Sequence, residues 1–124
     1  MENKVRNFRN YPVWQETVDY ATLVYNVTSK LPWFEKKGLC DQLQRAAVSI
    51  SSNIAEGCAR TSTADFSHFL DFALESAFEV ETQLLIAKNI GYLSDDIFHN
   101  LTEKVGSIER QQNGLRGSLR QSQH

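Results

Sequence analysis

Residues 63–90 read TADFSHFLDFALESAFEVETQLLIAKNI. Within them Phe66, Leu70, Ala73, Ala77, Val80, Leu84 and Ala87 step alternately by four and by three. Such steps keep side chains on one face of a helix, and their strict alternation is a heptad seam that favours left-handed, near-parallel packing. The seam predicts a helix over 63–90. Ser62-Thr63-Ala64-Asp65 places a hydroxyl three residues ahead of an acid, a capping start, and Gly91 stops the helix before Tyr92 and Leu93. The alanines on the seam would let neighbouring helices approach closely.

Three more helices follow from period and punctuation. Upstream, Leu39, Leu43, Ala46, Ala47, Ile50 and Ile54 form the stripe of a helix over roughly 36–56, with Gly57 read as the glycine that ends it. Further upstream, Trp14, Val18, Ala21 and Tyr25 mark a helix over roughly 12–30, with Pro12 in its first turn and Pro32 beyond its end. Downstream, Ser94 caps a last helix that carries Asp95 and Asp96 at its positive end. Ile97, Leu101, Val105, Ile108, Leu115 and Leu119 continue its stripe. Gln111 and Gln112 fall where apolar residues belong, and Gly106, Gly114 and Gly117 weaken it, so fraying is expected beyond about residue 115. No segment alternates with period two. The expectation is all-α: one domain over 1–124, an antiparallel up-down-up-down four-helix bundle joined by short loops.

The chain of 124 residues carries 13 Lys+Arg and 15 Asp+Glu, a formal charge of -2, and is 41% hydrophobic. That is the makeup of one globular domain with a modest core, and it excludes a strongly basic nucleic-acid coat. The polar start Met1-Glu2-Asn3-Lys4 leads into no apolar run, and no segment approaches the ~20 apolar residues of a membrane span. Cys40 and Cys58 fall on one helix, ~27 Å apart at ~1.5 Å per residue, too far to pair. Free thiols fit a cytoplasmic location.

Candidate chemistry is sparse. A four-helix bundle can house a carboxylate-bridged di-iron site, and Asp65 with His68 and Asp96 with His99 have the spacing of ligand pairs. Each pair starts its own helix, however, and antiparallel packing sends the two to opposite poles. Neither cysteine has the base and orienter that a nucleophile needs. The expectation is no cofactor, no metal and no catalysis.

Three surfaces remain. Gln42, Arg45, Ser49, Asn53 and Glu56 step by three or four along the second helix as a largely uncharged polar stripe. It is either a half-buried network or subunit interface, with Arg45 paired to Glu75 or Glu79, or a contact for a ligand or nucleic acid. The third helix has apolar residues off its seam, among them Phe69, Phe72 and Phe78. They belong either to a wide core or to a second face against another subunit, for which Trp14, Trp33 and Phe34 are candidate partners. Charge is segregated: residues 61–88 hold one basic and five acidic residues, while 1–60 hold eight basic and six acidic. Lys4, Arg6 and Arg9 in the N-terminal arm, Arg45 and Arg60 on the second helix and beyond it, and Arg110, Arg116 and Arg120 in the tail are candidate phosphate contacts. A solvated, mobile terminus is the alternative for the arm and tail.

The stretch Gly38 to Gly57, GLCDQLQRAAVSISSNIAEG, resembles a family signature, G-L-x-x-Q-x-x-R-A-A-x-S-I-x-x-N-I-A-E-G. The family is the four-helix-bundle proteins encoded in intervening sequences of bacterial 23S ribosomal RNA genes. Val13-Trp14-Gln15, Leu31-Pro32 with Glu35, Asp65-Phe66 to Phe69-Leu70, Glu81-Thr82-Gln83-Leu84 and Gly91-Tyr92-Leu93 are similar too, so the likeness runs from about residue 8 to 110. It implies an antiparallel four-helix bundle, a ring-like homopentamer, and a fold shared with the accessory protein of diversity-generating retroelements. That protein binds a reverse transcriptase and nucleic acid through a basic surface. The resemblance thus implies partners in RNA or a nucleic-acid-processing protein. It suggests a non-catalytic oligomeric adaptor associated with ribosomal RNA, or alternatively a protein scaffold without nucleic-acid contact. It marks Gln42, Arg45, Ser49, Asn53 and Glu56 as the signature network. Ser51 stands where the family often has Pro, which predicts a straighter helix, and the strong basicity of the accessory-protein branch is absent.

Overall fold

The structure is a computed structural model that describes residues 5–122, with side chains to residue 119. Four helices fill it: α1 (Pro12–Thr28), α2 (Leu39–Cys58), α3 (Thr63–Ile90) and α4 (Asp95–Ser122). Short 3-10 turns lie at Phe8–Asn10, in the arm, and at Trp33–Glu35, between α1 and α2. Each helix packs on the next, and α1 closes on α4, so that α1 and α3, and α2 and α4, are the diagonal pairs. This is the all-α four-helix bundle expected from the sequence. Its up-down course sets the start of α1, the end of α2, the start of α3 and the end of α4 at one pole.

The heptad seam of α3 is the centre of the core. Phe66, Leu70, Ala73, Ala77, Val80, Leu84 and Ala87 are all buried there, with Leu43, Ile50 and Ile54 of α2 and Leu101, Val105 and Ile108 of α4. Each large aliphatic side chain buried in this way contributes about 1.5–3 kcal/mol. The closest seam is α2 against α3, where Ala46, Ala47, Ala73 and Ala77 face inward.

Helix ends differ from expectation at several points. The first helix stops at Thr28 rather than 30, and α2 starts at Leu39 rather than 36, because the Trp33–Glu35 turn occupies the space between. Gly57 does not end α2. It lies inside the helix and is buried, and a Cβ there would sit 2.7 Å from Phe69 Cβ and 3.0 Å from Phe66 Cδ1. Its smallness is needed for packing, not for a turn. Gly91 does end α3, with φ at 101°, and the Tyr92 amide reaches back to the Ala87 carbonyl at 2.9 Å. Ser62 and Ser94 accept from the amides of Asp65 and Ile97.

The last helix does not fray at residue 115. It runs on to Ser122, with Leu115 and Leu119 against the core. Arg116 Nε meets Asp71 Oδ1 of α3 at 2.6 Å and ties the extra turns down. Gln112 is fully buried in the apolar stripe with neither amide atom paired, while Gln111 bonds Glu16 of α1 and Ser107.

Candidate functional site

Three places concentrate the side chains singled out above. The first is the pole where α1 starts. The arm is held there by a hydrogen bond from the Arg6 amide to the Cys58 carbonyl, 2.8 Å, and by Tyr11 packing edge-on against Phe66. The Arg6 guanidinium lies 4.6 Å over the Phe66 ring and donates to the Arg60 carbonyl and Thr63 Oγ1. Arg60 lies 4.7 Å over Phe69, and Arg9 lies 4.4 Å over Phe8. Stacking on an aromatic face holds a guanidinium in place without neutralising it. No carboxylate lies in ion-pair range of these three arginines among the described residues. Glu56 and Asp65 are exposed on α2 and α3 toward the same end.

The other candidate cations stand apart from this group. Arg116 is taken up by Asp71, which removes it from a free basic patch. Arg110 lines the open groove between α1 and α4 with Glu16, Glu103 and Glu109. Arg45 is well up α2, its side chain 79% exposed, and pairs with Asp41 one turn earlier at 3.0 Å. It does not pair with Glu75 or Glu79. Lys4 and the side chain of Arg120 lie outside the described residues.

The second place is the α2–α3 seam. Ser49 Oγ meets Ser76 Oγ at 2.8 Å, Asn53 donates to both the carbonyl and the hydroxyl of Ser49, and Gln83 donates to Gln42 at 3.4 Å. Three of the five stripe residues are therefore hydrogen-bonded here, Gln42 and Ser49 across to α3 and Asn53 back to Ser49. Arg45 and Glu56 are exposed beside it. Ser76 and Gln83 were not anticipated. They lie seven residues apart on α3, and that heptad spacing was the signal for a polar row facing the stripe.

The third is the outer side of α3. Phe72, Phe78, Leu85, Ile86 and Ile90 are each close to half exposed. Phe72 and Phe78 are set about 120° apart around the helix, so they flank its outer side rather than form one ridge. Phe69 is partly covered by Arg60 and Phe72. Trp14 is half-buried against Phe8, with ring centres 4.7 Å apart. Trp33 and Phe34 are at the opposite pole, away from that group, 86% and 61% exposed.

Burial pushes the Cys58 thiol above its usual range, opposed by Arg6, which keeps it an unreactive thiol. Cys40 is also free, at the other end of α2. Among the described residues, no three of His, Cys, Asp and Glu gather to hold a metal, and no helix is long and apolar enough to cross a membrane. Asp65 and His68 begin α3 and Asp96 and His99 begin α4, and His99 faces Glu103 at 3.4 Å.

The fold and these surfaces define an all-helical bundle protein that presents charge, amides and apolar rings on its outside. The chain belongs to the 23S rRNA-intervening sequence protein family, whose profile matches residues 9–114. A crystal structure at 1.70 Å of a protein of unknown function from the S23 ribosomal protein family of Bacteroides thetaiotaomicron shares the fold. Its TM-score is 0.78 at 24% identity, over 84% of this chain and 97% of that one. No curated protein matches the chain. Neither description names a catalytic activity.

Proposed function

We propose that the protein is a non-catalytic oligomeric adaptor that holds RNA through phosphate contacts at the pole of Arg6, Arg9 and Arg60. One observation carries this reading. Three guanidinium groups from the arm and the α2–α3 turn lie there, each over an aromatic ring and, among the described residues, none matched by a carboxylate. Arg9 and Arg60 keep planar sets of N–H donors free for phosphate oxygens. Three charges make a thin patch on one chain, and a symmetric ring, such as the homopentamer that the resemblance implies, would repeat it around an axis. Residues 61–88 hold one basic and five acidic residues, and of those acids Asp65 lies toward this pole, outside ion-pair range of the three arginines.

The test is fluorescence anisotropy of a labelled RNA duplex. Arg9→Gln with Arg60→Gln is expected to weaken binding by roughly tenfold or more while the helical content holds. Equal affinity in the variant would rule the pole out as the RNA site.

A second reading is favoured by the apolar side chains exposed on α3. In it the partner is a protein, and α3 with the α2 stripe is the contact. A chain that binds no RNA but loses self-association on Phe72→Ser and Ile86→Ser would support it.

A further inference from the structure

The loop between α1 and α2 carries an exposed aromatic pair set among lysines. Its sequence, Lys30 to Lys37, is KLPWFEKK, with three lysines and one glutamate. Trp33 is 86% exposed and Phe34 61%, the most exposed aromatic rings among the described residues. They meet edge to face with centres 6.0 Å apart. Lys30, Lys36 and Lys37 are exposed, and among the described residues none has a carboxylate partner.

This tip is braced without its rings. Glu35 does the holding: one carboxylate oxygen accepts from the Leu39 amide at 3.1 Å, and the other from the Tyr92 hydroxyl at 2.8 Å. Backbone bonds from Glu35 to Pro32 and from Lys36 to Trp33 close the turn. Glu35, the one acid of the stretch, is thus occupied inward. Two large rings are left in water on a rigid turn, beside free positive charge.

We propose that this tip is a stacking site for single-stranded nucleic acid. Trp33 and Phe34 take the faces of unpaired bases, and Lys30, Lys36 and Lys37 meet the flanking phosphates. Aromatic stacking next to unpaired cations is what an unstacked strand requires, since every base has a flat face and every linkage a negative charge. An anionic bilayer fits less well. It would press on the whole pole, including the exposed carboxylates of Asp95 and Asp96 at the start of α4, whereas a strand touches the loop alone. The site is separate from the arginine pole, at the other end of α2, roughly 30 Å away for 20 residues at 1.5 Å each. It stands or falls independently of that pole.

The chain has two tryptophans, so Trp14→Phe leaves Trp33 as sole reporter. Titrating that variant with a single-stranded oligouridylate of about ten nucleotides is expected to quench its emission saturably. Phe34→Ala, or Lys36→Gln with Lys37→Gln, is expected to weaken this by roughly tenfold. If Trp14→Phe does not fold, the difference between the wild-type chain and Trp33→Phe gives the same signal. Absence of quenching would overturn the proposal, as would quenching indifferent to the Phe34 and lysine changes. Blue-shifted brightening on phosphatidylserine vesicles, without quenching by the oligonucleotide, would assign the tip to a membrane and overturn it too.

Discussion

Arg45 is the fixed arginine of the signature, yet it makes only an exposed helical pair with Asp41. Such pairs contribute about 0.3–0.5 kcal/mol, so Arg45→Ala should barely move the urea midpoint. A loss of several kcal/mol would mean that the side chain is buried in the assembled protein. Gly57 behaves oppositely. Alanine there would drive its methyl into Phe69 and Phe66, and Gly57→Ala should lower stability by about 1–3 kcal/mol in the same measurement. These two residues mark what the sequence could reveal. Period alone placed Gln42, Ser49 and Asn53 on one polar face, because helical spacing fixes direction. It could not tell which acid would meet Arg45, since that depends on reach across or along the helix. Nor could it separate a glycine that ends a helix from one over which another helix passes.

At the scale of elements, α3 was legible almost whole, because its seam, cap and stop agree. The last helix was not. Its glycines and glutamines argued for fraying, and what extends it is tertiary: Leu115 and Leu119 on the core and the Arg116–Asp71 pair. The same helix carries a titrating contact. Glu109 faces Glu81 of α3, and its pKa is pushed up to about 8 by burial first, then by a hydrogen bond with Glu81 and by that group's charge, against Arg110. Glu16 and Asp19 of α1 and Lys104 of α4 line the adjoining groove. A carboxyl whose folded pKa lies above its unfolded value binds more protons folded than unfolded. Stability should therefore fall as pH rises from about 4.5 to about 8. Glu109→Gln, which stays neutral, should melt a few degrees above wild type at the upper end of that window and match it at the lower end. Equal melting curves at both ends would show that Glu109 does not titrate in this way.

For the whole molecule, the proposed adaptor rests on more than one copy, with the exposed apolar residues of α3 as the contact between copies. Sedimentation equilibrium at micromolar concentration should give a multiple of the 14.1 kDa chain mass. Phe72→Ser with Ile86→Ser should shift it toward the monomer. A clean monomer of the wild-type chain would return those side chains to an ordinary solvated surface and leave each basic pole alone. If the pole of Arg6, Arg9 and Arg60 holds RNA by its phosphates, affinity for an RNA duplex must depend on salt. Affinity should fall steeply as salt rises, and Arg9→Gln with Arg60→Gln should flatten the slope by nearly one for each phosphate that the variant no longer neutralises. Binding that is absent at every salt concentration, or a slope unchanged in the variant, would contradict it.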